Sequence, residues 1–470
     1  MNVTTRRASL PSGGDLKGYG WFLAAAAYVV AMAVSAAFLS WDTWAALVIA
    51  PALFTITIPI VRRGLRKDPD HRMAKLIMVA FMAKLFGACA RYALTFEVYE
   101  GRADAEGYHG SGARLAAAFW NGTFAEQMRL DAPEVTGTPF INLVTAFFYA
   151  FTGPTKLGGF LIFSWLSFLG LFFFYKAAAV GFPEANLRRY ALLLFFMPTM
   201  LYWPSSLGKE AWICFALGLA TYGVALILRH QPLGYPLAGL GLVGTAMPRP
   251  HITVLCFGSL VLAYMFRRKA WSDSTMGPVG KVLGVVVLLG AGGFAIGQAA
   301  SFFELDEVSS SSVTSVLDRA TTQSGQGGSE FTPVPVTTPL DFPPAAMAVL
   351  FRPYPWEANS AQALVSSLEG TVLLVLVVAS AARLMKLPSF IFRVPYLAYC
   401  VAFTTMFVIA FSSIANFGIM TRQRSQVLPL FLVLLALPAR DDPIAEPAPT
   451  LEQRTRELAL RTRPRPPGLR

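Results

Sequence analysis

The feature that most constrains this chain is a succession of apolar runs near the length of a membrane span. A spanning helix needs about 20 mostly apolar residues. Such runs fall at about 20–40, 44–61, 74–97, 138–153, 158–179, 190–204, 211–228, 234–248, 252–266, 280–299, 366–385, 394–413 and 426–438. Those at 138–153, 190–204 and 426–438 are short, so each is expected to be tilted, re-entrant or longer than its apolar core. Of the 470 residues, 55% are hydrophobic and 14% charged, against roughly 25% charged in an ordinary soluble chain. Mean hydropathy is +0.52. A soluble protein needs more polar surface than this chain can supply. That excludes a cytosolic enzyme, a secreted disulfide scaffold and a disordered chain. The expected fold is an all-α polytopic membrane protein of about 12–13 hydrophobic helices, with external loops at about 98–137 and 300–365. Its expected organisation is a cytoplasmic N-terminal tail at 1–19, a transmembrane domain at 20–438 and a cytoplasmic tail at 439–470. The second tail, with seven arginines, five acids and many prolines, is expected to be disordered and to touch anionic lipid. The apolar run after Met1–Lys17 is too long, and too closely followed by another, for a cleaved signal peptide.

The net charge is 39 − 27 = +12. In a soluble protein this would suggest nucleic acid, but no basic stripe with interleaved aromatics is present. Lys and Arg collect instead in the cytoplasmic loops of membrane proteins, so nucleic acid is not an expected partner. The clusters are Arg6/Arg7, Arg62/Arg63/Arg66/Lys67, Arg188/Arg189, Arg267/Arg268/Lys269 and Arg383/Lys386/Arg393. With these inside the cell membrane, both termini are cytoplasmic. The loops at about 98–137, 300–365 and 414–425 then face outward, as do the turns near Pro204–Ala211 and Met247–His251. One count does not balance. Two apolar runs separate the outer 98–137 loop from the inner Arg188/Arg189, so one run is re-entrant or interfacial, or the sidedness there is wrong. The 300–365 loop joins the Ser/Thr/Gly-rich Ser309–Ser329 to a Pro-rich stretch ending at Pro355. It is expected to be flexible without a partner.

Five outward stretches combine ionisable residues. The first is Glu97 to His109, with Asp104, Glu106 and Tyr108, followed by a mixed stretch Ala113–Phe124 that suits an interfacial amphipathic helix. A carboxylate there is either solvated and idle or a general base for a hydroxyl. The second is Lys209-Glu210. Glu210 either favours the helix dipole or faces a cavity shared with the first loop. Gly208-Lys209 is not a phosphate-binding P-loop, since Glu210 stands where Ser or Thr should be. The third is Arg249-Pro-His251, whose stiff prolines pre-shape an Arg for phosphate or lipid headgroups. The fourth is Arg352-Pro-Tyr354-Pro-Trp356-Glu357, where Tyr and Trp alone would make an interfacial anchor. The fifth holds Arg422 and Arg424, two outward arginines against the positive-inside trend, best explained by an anionic ligand. Inside the spans, Lys84 and Arg91 share a helical face. Intramembrane charge suggests function, but Arg91 can snorkel, and Lys84 can pair structurally with a carbonyl or carboxylate.

HExxH, paired CxxC and GxSxG are absent. Gly239-Leu-Gly241-Leu-Val-Gly244 spells GxGxxG inside an apolar run and reads as helix packing. Cys89, Cys214, Cys256 and Cys400 each lie in apolar runs and read as small hydrophobes. No nucleotide-binding domain is read, so any reaction must draw on a membrane-borne activated substrate or a gradient.

The order of these features resembles the GT-C superfamily of membrane glycosyltransferases, which use polyprenyl-phosphate-linked sugars. Asp104-Ala-Glu-Gly-Tyr108 is similar to that family's first-loop acid. Gly137-Thr-Pro139 running on to Phe174-Tyr175-Lys176 is similar to its following apolar pair. Pro204 to Glu210 looks like its second acidic outer loop, and Arg249-Pro-His251 like its outer Arg-Pro turn. The resemblance covers about 74–270 and departs from the pattern in two extra spans before the acidic loop. The C-terminal half, with its outward arginines, looks more like bacterial polysaccharide polymerases of the O-antigen or exopolysaccharide type. Both resemblances imply transfer of sugar from a polyprenyl-(pyro)phosphate carrier on the outer face, in cell-envelope or exopolysaccharide assembly. They imply Asp104, Glu106 and Glu210 as catalytic acids, and Lys209, Arg249, His251, Arg352, Arg422 and Arg424 as phosphate-binding residues. The mobile 300–365 loop would cover the site. A divalent cation is left open as a cofactor. Partners are the lipid-linked sugar donor, a glycan acceptor, membrane lipids and envelope-assembly proteins. Two other classes stand beside this one: a lipid-linked-sugar flippase or other transporter, and a non-catalytic scaffold of an envelope-assembly complex.

Overall fold

Backbone N–H and C=O groups in hydrocarbon must be satisfied within the chain, so apolar runs of this kind fold as helices. The computed structural model describes residues 13–266 apart from 67, 69, 71 and 102, the helical positions 290, 293 and 297, and residues 330–438. Of the expected tails at 1–19 and 439–470, residues 1–12 and the whole second tail lie outside the described residues, as do Arg6/Arg7, Lys67, Arg267/Arg268/Lys269, Ser309–Ser329 and all but three positions of the run at 280–299; residues 13–19 are not a tail but begin the first helix.

The described residues are helical throughout, with one isolated bridge, Glu330 to Asn416, and no strand. The helices, in chain order, begin with α1 (Gly13–Ser35), α2 (Trp41–Gly64), α3 (Met73–Ala93), α4 (Asp104–Trp120), α5 (Phe124–Asp131) and α6 (Thr138–Thr152). They continue with α7 (Lys156–Gly181), α8 (Leu187–Phe196), α9 (Pro198–Tyr202), α10 (Lys209–Leu228), α11 (Gly234–Ala246) and α12 (Pro250–Met265). After residue 330 come α13 (Phe342–Phe351), α14 (Ala361–Ala379), α15 (Pro395–Phe411), α16 (Phe417–Arg424) and α17 (Leu428–Leu434). Five stretches are long and apolar enough to cross a membrane: Trp41–Gly64, Met73–Val98, Lys156–Gly181, Lys209–Leu228 and Ala361–Ala379. Shorter apolar helices accompany them. This is compatible with an α-helical membrane protein.

Helices α7 and α10 form the centre, with α11 against α10 and with α2 and α3 against α7. Small residues allow the contact. A Cβ on Gly218 would overlap the Gly170 backbone, and one on Gly241 the Ala220 backbone. The Gly239–Gly244 motif is therefore helix packing, as its apolar setting implies. All four cysteines are free; Cys214, Cys256 and Cys400 are buried. The periphery is apolar and exposed: Val79, Met82 and Phe86 on α3, and Val372, Val375 and Val378 on α14. A soluble surface avoids such continuous apolar stripes.

Two prolines break the run at 190–204. Pro198 starts α9 after a stop at Phe196, and Pro204 ends it. Pro204 has no N–H to give the Met200 carbonyl. The buried Lys84 amine donates to that carbonyl instead. On the other side of the break, the freed Thr199 N–H donates to Glu369 Oε2 at 2.9 Å. Lys84 thus takes the structural role weighed for it.

The helix ends fall into two groups. At one end, Tyr175 donates to Asp68 (2.5 Å), Arg189 to Ser380 (2.8 Å) and Arg229 to the Val180 carbonyl (2.9 Å). This basic end collects Arg62, Arg63, Arg66, Arg72, Arg188 and Arg189, and at Phe266–Phe392 it meets the Arg383–Arg393 segment. At the other end, Tyr92 and Thr155 both donate to Asp42 (2.7 and 2.8 Å) and the Gly137 N–H donates to Met247 (2.7 Å).

Three expectations change. The stretch at 98–137 is largely helical, as α4 and α5, so most of Ala113–Phe124 is the second half of a helix that starts at Asp104 and ends at Trp120, and Phe124 opens α5. The run at 138–153 gives α6, 15 residues and about 22 Å long at 1.5 Å per residue, shorter than a bilayer core of about 30 Å. It packs along α4, where Thr145 meets Gly112 and the Tyr149 hydroxyl lies 2.8 Å from His109 Nδ1, while Asn142 donates to the Asp131 carbonyl at the end of α5. The stretch at 414–425 is not a loop: α16 begins there, capped by the Asn416 side chain accepting from the Ile419 N–H.

Candidate functional site

Four segments far apart in sequence meet at the end opposite the basic one. Asp104 opens α4, where a carboxylate favours the helix dipole; Glu210 does the same for α10. Arg249 stands at the N-cap of α12, and Arg422 lies in the last turn of α16. Glu210 Oε1 is 2.7 Å from Arg249 Nη2 and 3.1 Å from Arg422 Nε. Arg422 Nη1 reaches Asp104 Oδ2 at 3.4 Å. One carboxylate thus holds two guanidiniums, and one of these reaches a second carboxylate. Glu210 and Arg249 are buried, while the Asp104 side chain is 70% exposed.

Gln423, next to Arg422, completes the arrangement. Its Oε1 accepts from Arg249 Nη1 at 2.6 Å and from Gln426 Nε2 at 2.5 Å. Arg249 is therefore bonded on both sides and fixed in plane. Tyr108, one turn after Asp104, is buried against Gly208. Burial, then the Asp104 and Glu210 carboxylates, push its phenol upward, so it stays protonated at neutral pH. Lys209 is half-buried in the field of Arg249, Glu210, Asp104 and Arg422. Among the described residues its amine makes no hydrogen bond or ion pair.

The other expected residues lie elsewhere. Glu106 pairs with Lys156 at 2.7 Å, and the Lys156 amine sits 4.7 Å over the Phe96 ring. The His251 ring lies 6.0 Å from that of Phe411. Arg352 forms a second group. It pairs with Glu357, lies 4.5 Å over Phe331, and its carbonyl accepts from the buried Arg424. Phe331 stacks on Phe417 at 4.4 Å. This group fastens residues 330–357 to α16. Arg422 and Arg424, two apart on one helix, therefore serve different neighbours. Glu369 lies beside Arg424's group, with Oε2 bonded to Thr199 and Oε1 buried without a hydrogen-bond partner among the described residues.

Tyr108 lay in the first expected stretch, whereas Gln423, Glu369 and Lys156 were not expected at a site. Gln423 and Tyr108 had a signal, each lying within four residues of a chosen charge. The pairings of Glu369 and Lys156 depend on helix neighbours that no local pattern reveals. Among the described residues no three His, Cys, Asp or Glu side chains group to hold a metal ion. The two site carboxylates share an arginine, which does not fit a metal centre. No family model, curated protein or solved structure matches this chain.

Proposed function

We propose that the chain is an integral membrane glycosyltransferase or polysaccharide polymerase that takes sugar from a polyprenyl-(pyro)phosphate carrier. The observation that carries this reading is Lys209, a half-buried ammonium with no direct partner among the described residues, set beside Arg422 and Asp104. An ammonium without a direct counter-ion suits a phosphate, and an exposed carboxylate close by suits the acceptor hydroxyl.

In this reading the site end faces outward. With α6 lying along α4, only α7 crosses between the 98–137 region and Arg188/Arg189, and the sidedness balances. The acceptor oxygen attacks the anomeric carbon as Asp104 takes the hydroxyl proton. The bond from that carbon to the phosphate oxygen breaks, and its electron pair leaves on the phosphate, which Lys209 and Arg422 stabilise. Glu210 and Gln423 position the two arginines rather than move protons, because the charge of Glu210 is committed to both guanidiniums. Arg352 and Arg424 hold residues 330–357 against α16, the helix that carries Arg422. The reaction class places the chain in cell-envelope or exopolysaccharide assembly.

The test is release of free polyprenyl carrier from a polyprenyl-pyrophosphate sugar by purified protein in detergent. Turnover that falls by at least about a hundredfold in Lys209→Ala and Asp104→Asn supports the reading. Unchanged turnover in both sinks the assignment of this site. The buried charges Lys84, Glu369 and Arg424 favour a second reading, transport of the same lipid. Binding without turnover, with label crossing vesicles, selects it, and absence of binding selects a scaffold.

A further inference from the structure

The basic end carries a feature that glycosyl transfer does not use. A cavity of about 390 Å³ opens between α3 and α8, bounded by Asp70. Along α3 it is lined by Met73 and by Arg72, the helix N-cap, Lys75, Leu76 and Val79, the last four spaced i, i+3, i+4, i+7; on α8 it is lined by Arg188, Leu192 and Phe196, spaced i, i+4, i+8. Each series is one helical face. Each begins with cations at the helix start and ends apolar, about 10–12 Å further along at 1.5 Å per residue. Val79 and Leu192 are exposed. None of the three cations makes a side-chain hydrogen bond or ion pair among the described residues. Asp70, the one carboxylate here, already accepts from the Arg72 N–H at 2.9 Å.

We propose that this groove binds one anionic glycerophospholipid. Its phosphate sits among Arg72, Lys75 and Arg188, and an acyl chain runs along Val79, Leu192 and Phe196. Two facts select this occupant. Three cations against one engaged carboxylate call for net negative charge, which a zwitterionic lipid lacks. An apolar wall below the cations calls for a chain attached to that charge, which a soluble phosphate lacks. The groove lies at the end opposite the Asp104–Arg422 cluster, so the inference stands whatever that cluster does.

The experiment uses the full chain in detergent. Native mass spectrometry and thermal melting are followed on titration with phosphatidylglycerol, phosphatidylcholine and soluble glycerol phosphate. The expected result is one retained phosphatidylglycerol and a raised melting temperature, with phosphatidylcholine bound at least about tenfold more weakly. Arg72→Gln/Lys75→Gln/Arg188→Gln should abolish the preference. Val79→Trp/Leu192→Trp fills the wall without touching charge and should weaken phosphatidylglycerol by a similar factor, while Arg422→Ala leaves it unchanged. Equal binding of the two lipids overturns the proposal. So does an equal effect of glycerol phosphate, or retained preference in the triple variant. If the triple variant does not fold, unchanged phosphatidylglycerol affinity in the tryptophan variant decides against it.

Discussion

Replacing Glu210 by Gln removes the one charge that two arginines share, and the structure says the two losses are unequal. Glu210 and Arg249 side chains are 10% and 8% exposed and 2.7 Å apart. At an effective dielectric of about 20, unit charges at that distance attract by about 6 kcal/mol. Desolvation offsets much of this, yet removing one partner still leaves a buried guanidinium uncompensated and costs about 3–5 kcal/mol. Arg422 is 31% exposed and keeps Asp104, so its share is that of a partly solvated pair, about 1 kcal/mol or less. A double-mutant cycle separates them. Glu210→Gln with Arg249→Met should show a coupling of about 3 kcal/mol, because the double variant removes both buried charges. Glu210→Gln with Arg422→Met should show about 1 kcal/mol or less. The assay is reversible unfolding in mixed micelles, followed by tryptophan fluorescence. Equal couplings, or a single Glu210→Gln cost below about 1 kcal/mol, would refute the claim that Glu210 and Arg249 form a desolvated unit.

Lys84→Met should cost about 1–3 kcal/mol in the same assay, because the Met200 carbonyl stays buried with Pro204 unable to serve it. Gly241→Val should prevent stable folding, since its side chain meets the Ala220 backbone with no flexible atom to yield; a wild-type melting temperature would contradict the packing. The His109 imidazole is held below its ordinary value, first by burial and then by Lys156. Its contribution is therefore fully present above about pH 6.5, and is lost as pH falls through the lower folded value. Melting between pH 8 and 5 should show a loss that His109→Gln removes.

The helical architecture, with helices long and apolar enough to cross a membrane, was legible because it rests on run length and composition, which are local. The run at 138–153 was legible as a short one, and its polar pattern carries a further signal. Asn142, Thr145 and Tyr149 recur every three or four residues in an otherwise apolar run, and all three are buried. Asp104, Glu210, Arg249 and Arg422 were legible as ionisable residues bordering apolar runs at one expected face. Their separation from Glu106, Arg352 and Arg424 was not. Asp104 and Glu106 are two residues apart, so a helix turns them about 200° from each other, one toward Arg422 and one toward Lys156. That distinction requires knowing that α4 is a helix, and the sequence reading treated the stretch as a loop.

The two ends of the bundle use charge differently, and the difference bears on function. At the basic end the cations are exposed, and water or lipid can answer them at little cost. At the other end Glu210, Arg249 and Arg424 are buried. Pairs of that kind add little stability over apolar residues of similar volume, and a chain that is 55% hydrophobic has such residues through most of its core. Stability therefore does not explain the cluster. In the proposed reading orientation does: Gln423 and Glu210 grip Arg249 from two sides, and Glu210 with Asp104 limits where Arg422 can sit. In that reading a guanidinium held in this way meets an anion without first having to be ordered, and Lys209 beside it, without an ion pair among the described residues, adds a second cation.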